Sequence, residues 1–171
     1  MRFIAAITAL AVVLGAAPLH SVETAGLPSE LAAYRTWSAL LKEPRAVPYD
    51  VALECAWLGQ KGWDKAAQPH GSHGKRFIQV YANPEAAGAL SAQGDKPFPV
   101  GAVIAKEKLA GPDSHDPEGI AFMVKRKSPE FEPSGGWEFL YYPEVGKTPV
   151  AQASCARCHK ASGHDFVLGS Y

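Results

Sequence analysis

Cysteine is scarce in this chain of 171 residues: there are three, Cys55, Cys155 and Cys158. Three thiols cannot build the dense framework of a disulfide-stapled domain, and they leave no second Cys-x-x-Cys for a four-cysteine zinc site. An excess of charge is missing as well, with 17 basic and 17 acidic residues summing to zero. That balance excludes the footprint of a nucleic-acid binder or a polybasic membrane patch. Methionine is limited to Met1 and Met123. No internal repeat or low-complexity tract is visible. The leading apolar run, Phe3 to Leu14, has 12 residues, too few to span a bilayer as a helix.

That run follows Met1-Arg2 and precedes small residues and a proline, the layout of a secretory signal. Residues 1–25 are therefore read as a signal peptide, with cleavage between Ala16 and Ala25, and no membrane span is expected in the mature chain. Its removal takes away Arg2 and Glu23, one charge of each sign, so neutrality persists. Residues 26–171 suit one domain with a modest core.

What the chain does have is Cys155-Ala156-Arg157-Cys158-His159, with 12 residues following it. In an exported chain this spacing reads as covalent c-type haem attachment. Two thiols must reach the two vinyl groups of one porphyrin, and the next side chain must bring an imidazole to the iron. Cys155 and Cys158 would form the thioethers and His159 the proximal axial bond. A zinc knuckle needs more ligands, and only His164 is near. A thioredoxin-like pair should follow a strand and open a long helix early in a βαβ unit, whereas here the chain is almost complete. Attachment of this kind is finished outside the cytoplasm, so a periplasmic location fits both signals. Cys55 is then left over; an odd thiol in an exported protein can pair between chains, but Cys55 reads as a small buried hydrophobe.

The remaining elements read in order. Leu31, Tyr34, Trp37, Leu40 and Leu41 recur at helical spacing, predicting one amphipathic helix that starts near Ser29 and ends before Pro44. Pro44 to Gly74 is irregular, with Trp57 and Trp63 as packing groups and His70 and His73 in a polar turn. Strands are expected over Arg76 to Ala82, Ala102 to Glu107, Ile120 to Lys125 and Trp137 to Tyr142. A short helix is expected over Glu85 to Leu90, and a helical turn over Ser154 to Lys160. With no alternating βαβ rhythm, the fold class is α+β: an antiparallel sheet core, an N-terminal helix, peripheral short helices and a C-terminal haem-attachment turn.

Small electron-transfer cytochromes place their attachment site before most of the fold and draw a distal methionine from downstream. Here almost nothing follows His159, and Met123 sits in a predicted strand, where core packing is the ordinary explanation. His164 is too near His159 to reach the opposite haem face, and His70, His73 and His115 lie in loops. A five-coordinate iron with an open distal side is therefore the expectation, with a six-coordinate electron-transfer cytochrome as the alternative. The proline-rich, strand-rich body does not permit a four-helix bundle.

The chain resembles the cytochrome P460 family, which includes the β-sheet cytochromes c′. The resemblance runs from Tyr34 to the C-terminus. It is carried by Tyr34-Arg35-x-Trp37, Val80 to Ala86, Phe98-Pro99-x-Gly101 with Lys106-Glu107, Met123-Val124-Lys125, Gly135 to Phe139, and Cys155 to His159 followed by Asp165-Phe166-Val167. It implies a homodimer of antiparallel sheets, each subunit with one haem c, a proximal histidine and no protein ligand on the distal side. P460 members carry a lysine cross-linked to the porphyrin edge, oxidise hydroxylamine and handle nitric oxide. That lysine corresponds to Lys106. Relatives active on hydroxylamine place a glutamate on the next strand, where this chain has Ala121, and alanine cannot relay protons. The resemblance thus implies either a hydroxylamine or nitric oxide oxidoreductase delivering electrons to another cytochrome, or a non-enzymatic nitric-oxide binder. Ile78, Ile104 and Ala121 are expected to face one apolar distal cavity, with Phe77 and Phe122 as aromatic caps over the iron.

Overall fold

A computed structural model describes residues 26–47, 77–92, 96–143, 149–151, 153–160 and 164–167. Residues 1–25, Cys55, Trp57, Trp63, His70 and His73 lie outside the described residues. The sheet has seven strands: β1 (Ser38–Ala39), β2 (Arg45–Ala46), β3 (Phe77–Ala82), β4 (Val103–Leu109), β5 (Pro117–Lys125), β6 (Trp137–Tyr142) and β7 (Val150–Ala151). Six of them pair antiparallel in the order β1-β3-β4-β5-β6-β7, and β2 also pairs with β3. The helices are α1 (Ser29–Ala32), α2 (Pro84–Ser91) and α3 (Ala153–His159), with 3₁₀ turns at Tyr34–Thr36 and Pro129–Ser134. The fold is the expected α+β class.

The long N-terminal helix is replaced by something shorter. α1 ends at Ala32, a 3₁₀ turn follows, and Trp37 is already extended at ψ 175°. Ser38 and Ala39 then pair with Ala82 and Tyr81, and Leu40 N–H donates to the Val80 carbonyl at 2.8 Å. Leu31 and Tyr34 are buried as their spacing suggested, but an open edge of β3 offered the next residues a ladder. Spacing of three residues fits a 3₁₀ turn as well as an α-helix, which is why the pattern misled.

β3 and α2 meet at Asn83, the N-cap of α2. Its Oδ1 accepts from Ala86 N–H at 3.0 Å and from Val103 N–H at 2.9 Å, while its Nδ2 donates to the Gly101 carbonyl at 2.8 Å. One buried side chain therefore starts the helix and fixes the entry to β4. Gly101, at φ +91°, supplies the left-handed turn that precedes it.

The sheet is covered on both faces. On one, Val80, Ala82, Ile104, Trp137 and Phe139 pack with α2, Phe98 and Val167, and Cys155 of α3 lies against this layer. On the other, Val103, Ala105, Ile120, Phe122, Val124 and Tyr142 pack with Leu31 and Tyr34. The second layer holds a buried carboxylate: Glu107, 2% exposed, accepts from Tyr34 Oη at 2.6 Å and from Arg35. Tyr34 also meets Tyr81 and Phe122 edge to face, both at 5.6 Å.

Burial, then the Glu107 charge, pushes the Tyr34 phenol far above its ordinary range. A raised folded pKa means that the neutral phenol contributes stability below about pH 10, and that this contribution is lost as pH climbs beyond it. Tyr34→Phe should destabilise the fold by about 1–3 kcal/mol, because it leaves a buried carboxylate short of a donor. Thermal unfolding of the variant measures this, and an alkaline titration of the wild type should show Tyr34 ionising only as the protein unfolds.

Candidate functional site

α3 carries the Cys-x-x-Cys-His segment. Cys155 and Cys158 are three residues apart on a helix, and His159 is four from Cys155, so all three share one side of it. The two cysteines are half-buried and not joined in a disulfide. His159 is held on two sides. Its ring packs edge to face on Phe139 with centroids 5.1 Å apart, and Nδ1 lies 2.8 Å from the Phe166 carbonyl. A carbonyl only accepts, so Nδ1 carries the proton and Nε2 the lone pair. Burial lowers the His159 pKa, the Phe166 bond opposes this, and the Lys106 charge adds to the lowering. The imidazole is therefore kept in its neutral, ligating form. Burial pushes the Cys155 thiol up, with Lys106 acting against it.

Lys106 therefore acts electrostatically on both Cys155 and His159. Its place follows from register. Residues directly opposite in an antiparallel pair share a face, so the sheet presents rows of side chains to α3. One row is Ala82, Ile104, Met123 and Phe139. The next is Val80, Lys106, Ala121 and Tyr141. Beyond it come Ile78, Lys108 and Gly119. The first row carries the ring that packs on His159, the second begins one step along the strands, and the third lies farther still.

Ile78, Ile104 and Ala121 thus stand on one face, as strand alternation requires, but Ile104 shares the row of Met123 and Phe139 on the His159 side and stands apart from the other two. Phe122 does not join them. It belongs to the opposite layer, in edge-to-face contact with Tyr34 and Tyr142, at 5.6 and 5.9 Å. Phe77 alternates with Ile78 and so takes the opposite face of β3. The aromatic caps are a correction: neighbours in a strand cannot face the same cavity. Met123 is on the His159 side of the site, in the row of Phe139. His115 is exposed, and its carbonyl accepts from Arg35 Nη2 at 2.7 Å, which places it with the Glu107 layer. His164 pairs with Val167 and tilts against Phe98 at 5.8 Å.

Two polar residues were missed. Lys108 is 5% exposed, and its side chain shares the face of Ile78 and Lys106. Tyr141 stands beside Ala121, and its hydroxyl fills the space over Gly119, where an added Cβ would lie 2.8 Å from it. Burial, then Glu118, raises the Tyr141 pKa, so it stays a donor. Alternation from Lys106 could have flagged Lys108, while Tyr141 needed the β5–β6 register.

The donor set fits a haem rather than a closed zinc centre. Among the described residues no group of three or more His, Cys, Asp or Glu gathers to hold a metal ion. A helix that offers two thiols and an oriented imidazole on one side, laid on an antiparallel sheet, has the donor set that c-type haem attachment uses. A sequence model described as Cytochrome P460 matches residues 58–168. The chain belongs to the cytochrome P460 family, and that membership implies a haem cofactor. A search of curated proteins gives no match.

Gly119 tests the described packing. Gly119→Ala would press a methyl group to 2.8 Å of the Tyr141 hydroxyl and 3.0 Å of the Tyr142 carbonyl. We expect a loss of about 1–3 kcal/mol in denaturant unfolding. Adding Tyr141→Phe should restore part of it, since the closest contact is with the hydroxyl.

Proposed function

We propose that this is an exported, monohaem c-type cytochrome with an open distal iron site, which binds nitric oxide and related small nitrogen ligands. The observation that carries the reading is the position of Lys106. It reaches electrostatically to both Cys155 and His159 from the sheet row facing α3. Cys155 and Cys158 hold the haem through thioethers and His159 is its proximal ligand. The bound haem supplies an iron with one exchangeable position and one-electron redox capacity. Lys106 would hold the edge of a porphyrin bound to Cys155 and Cys158, as the cross-linked lysine does in the P460 members.

The alternative, six-coordinate electron transfer, needs a protein ligand opposite His159. Met123 stands in the row on the His159 side, which disfavours it. Ala121 pairs directly with Lys106 and gives no carboxylate for proton relay, which favours ligand binding over hydroxylamine oxidation. Lys108 and Tyr141, on the sheet face of Lys106, would offer a ligand on the iron a positive charge and a hydroxyl donor, a polar wall suited to ligands that draw electron density from the iron. The reading includes a homodimer, periplasmic maturation and a redox partner cytochrome for any oxidative turnover.

A ferrous spectrum of protein matured in a periplasm tests the reading. High-spin five-coordinate iron that takes up nitric oxide and carbon monoxide is expected, and low-spin six-coordinate iron would replace it with electron transfer. Lys108→Met should raise the C–O stretching frequency of the carbon monoxide complex, because a nearby cation polarises the bound ligand. An unmoved frequency would remove Lys108 from the distal wall. Ala121→Glu should raise hydroxylamine turnover in a cross-linked protein, and no rise would contradict the proton-relay argument.

A further inference from the structure

Asp165 and Phe166 are the only non-glycine residues with positive φ among those described, at +41° and +65°. Two consecutive left-handed residues are strained and persist only where the surroundings over-determine them. Here the surroundings do. Lys125 Nζ donates to Asp165 Oδ1 at 2.9 Å, to Oδ2 at 2.7 Å and to the Gly135 carbonyl at 2.7 Å. Phe98 N–H donates to Oδ2 at 2.7 Å, and Trp137 Nε1–H to the Asp165 carbonyl at 2.8 Å. The Lys125 ammonium also lies 4.9 Å from the Trp137 ring centre, and Lys125 is 8% exposed. Gly135, at φ +66°, leaves room for the Phe166 ring, which an added Cβ would meet at 2.5 Å. All this bonding converges on one outcome: the Phe166 carbonyl is aimed at His159 Nδ1.

We infer that the Lys125–Asp165 ion pair is a positioning device for the proximal ligand, setting the orientation and donor strength of His159 through the Phe166 carbonyl. This rests on His159 being the iron ligand, as proposed above. A second hydrogen bond from a ligating imidazole fixes its tautomer and raises its basicity. A more basic imidazole stabilises ferric over ferrous iron and strengthens the iron–histidine bond. Lys125, Asp165 and Trp137 touch neither haem nor ligand in this account. They act on the iron through the turn, by holding its carbonyl in a conformation the backbone would not choose.

The test uses haem-loaded wild type, Asp165→Asn, Lys125→Met and Lys125→Arg. Asp165→Asn and Lys125→Met should move the midpoint potential upward and the iron–histidine stretch to lower frequency, and Lys125→Arg should restore part of both. If both neutral variants carry haem and leave the two quantities at wild-type values, the inference is overturned. The wild type gives a check that does not depend on variants folding. In the ferrous carbon monoxide form, the His159 Nδ1 proton should exchange slowly with solvent, and exchange as fast as that of an exposed imidazole overturns the inference. A wild-type protein with no iron–histidine stretch overturns the ligand assignment and this inference with it. A stretch present but unmoved in the variants overturns this inference alone.

Discussion

The two-residue repeat of β4 decides what this sheet can do. Val103, Ala105, Glu107 and Leu109 point one way, and Ile104, Lys106 and Lys108 the other. Six of these seven residues are buried, so neither face can be exchanged for the other by a slip of register without putting charge among apolar side chains. Glu107 is satisfied only on its own side, where Tyr34 and Arg35 wait. Its fixed position puts Lys106, the next residue back, on the side where α3 docks. A buried carboxylate in one layer thus fixes the placement of a cation in the other.

α3 depends on a second largely buried charge pair. α3 comes late in the chain, and the short turn after it contains the bond that orients His159. That turn is left-handed at two ordinary residues, and it is held by a lysine forty residues away on β5, a tryptophan on β6 and an amide at Phe98. The sheet therefore acts as more than a floor for α3. Its rows bring groups to the face where α3 docks, and one end of its strands supplies the contacts that hold the turn after α3.

Local signals in the sequence carried much of this. Cys155 to His159 is defined by spacing alone, and the β-branched and aromatic runs located β3 to β6 to within a few residues. The short helix expected over Glu85 to Leu90 is α2, which starts one residue earlier. Lys106 and Ala121 were placed by the family resemblance, and the two pair in the β4–β5 register. The readings that failed ignored parity or distance. Phe77 and Phe122 are adjacent in sequence to Ile78 and Ala121, and so face away from them. The N-terminal helix gave way because an unpaired strand edge competes with helix propensity, which a single segment does not reveal. Lys125 with Asp165, and Arg35 with Glu107, are 40 and 72 residues apart. Nothing local in either member announces its partner.

The most direct test of the account is peptide mass mapping of protein matured in a periplasm. The account predicts that the peptide spanning Cys155 to His159 carries one haem through both thiols, and that a P460-type member would show the Lys106 peptide joined to the same haem. A peptide with both thiols free of haem would contradict the central claim. It would leave α3 as an ordinary helix end on an antiparallel sheet.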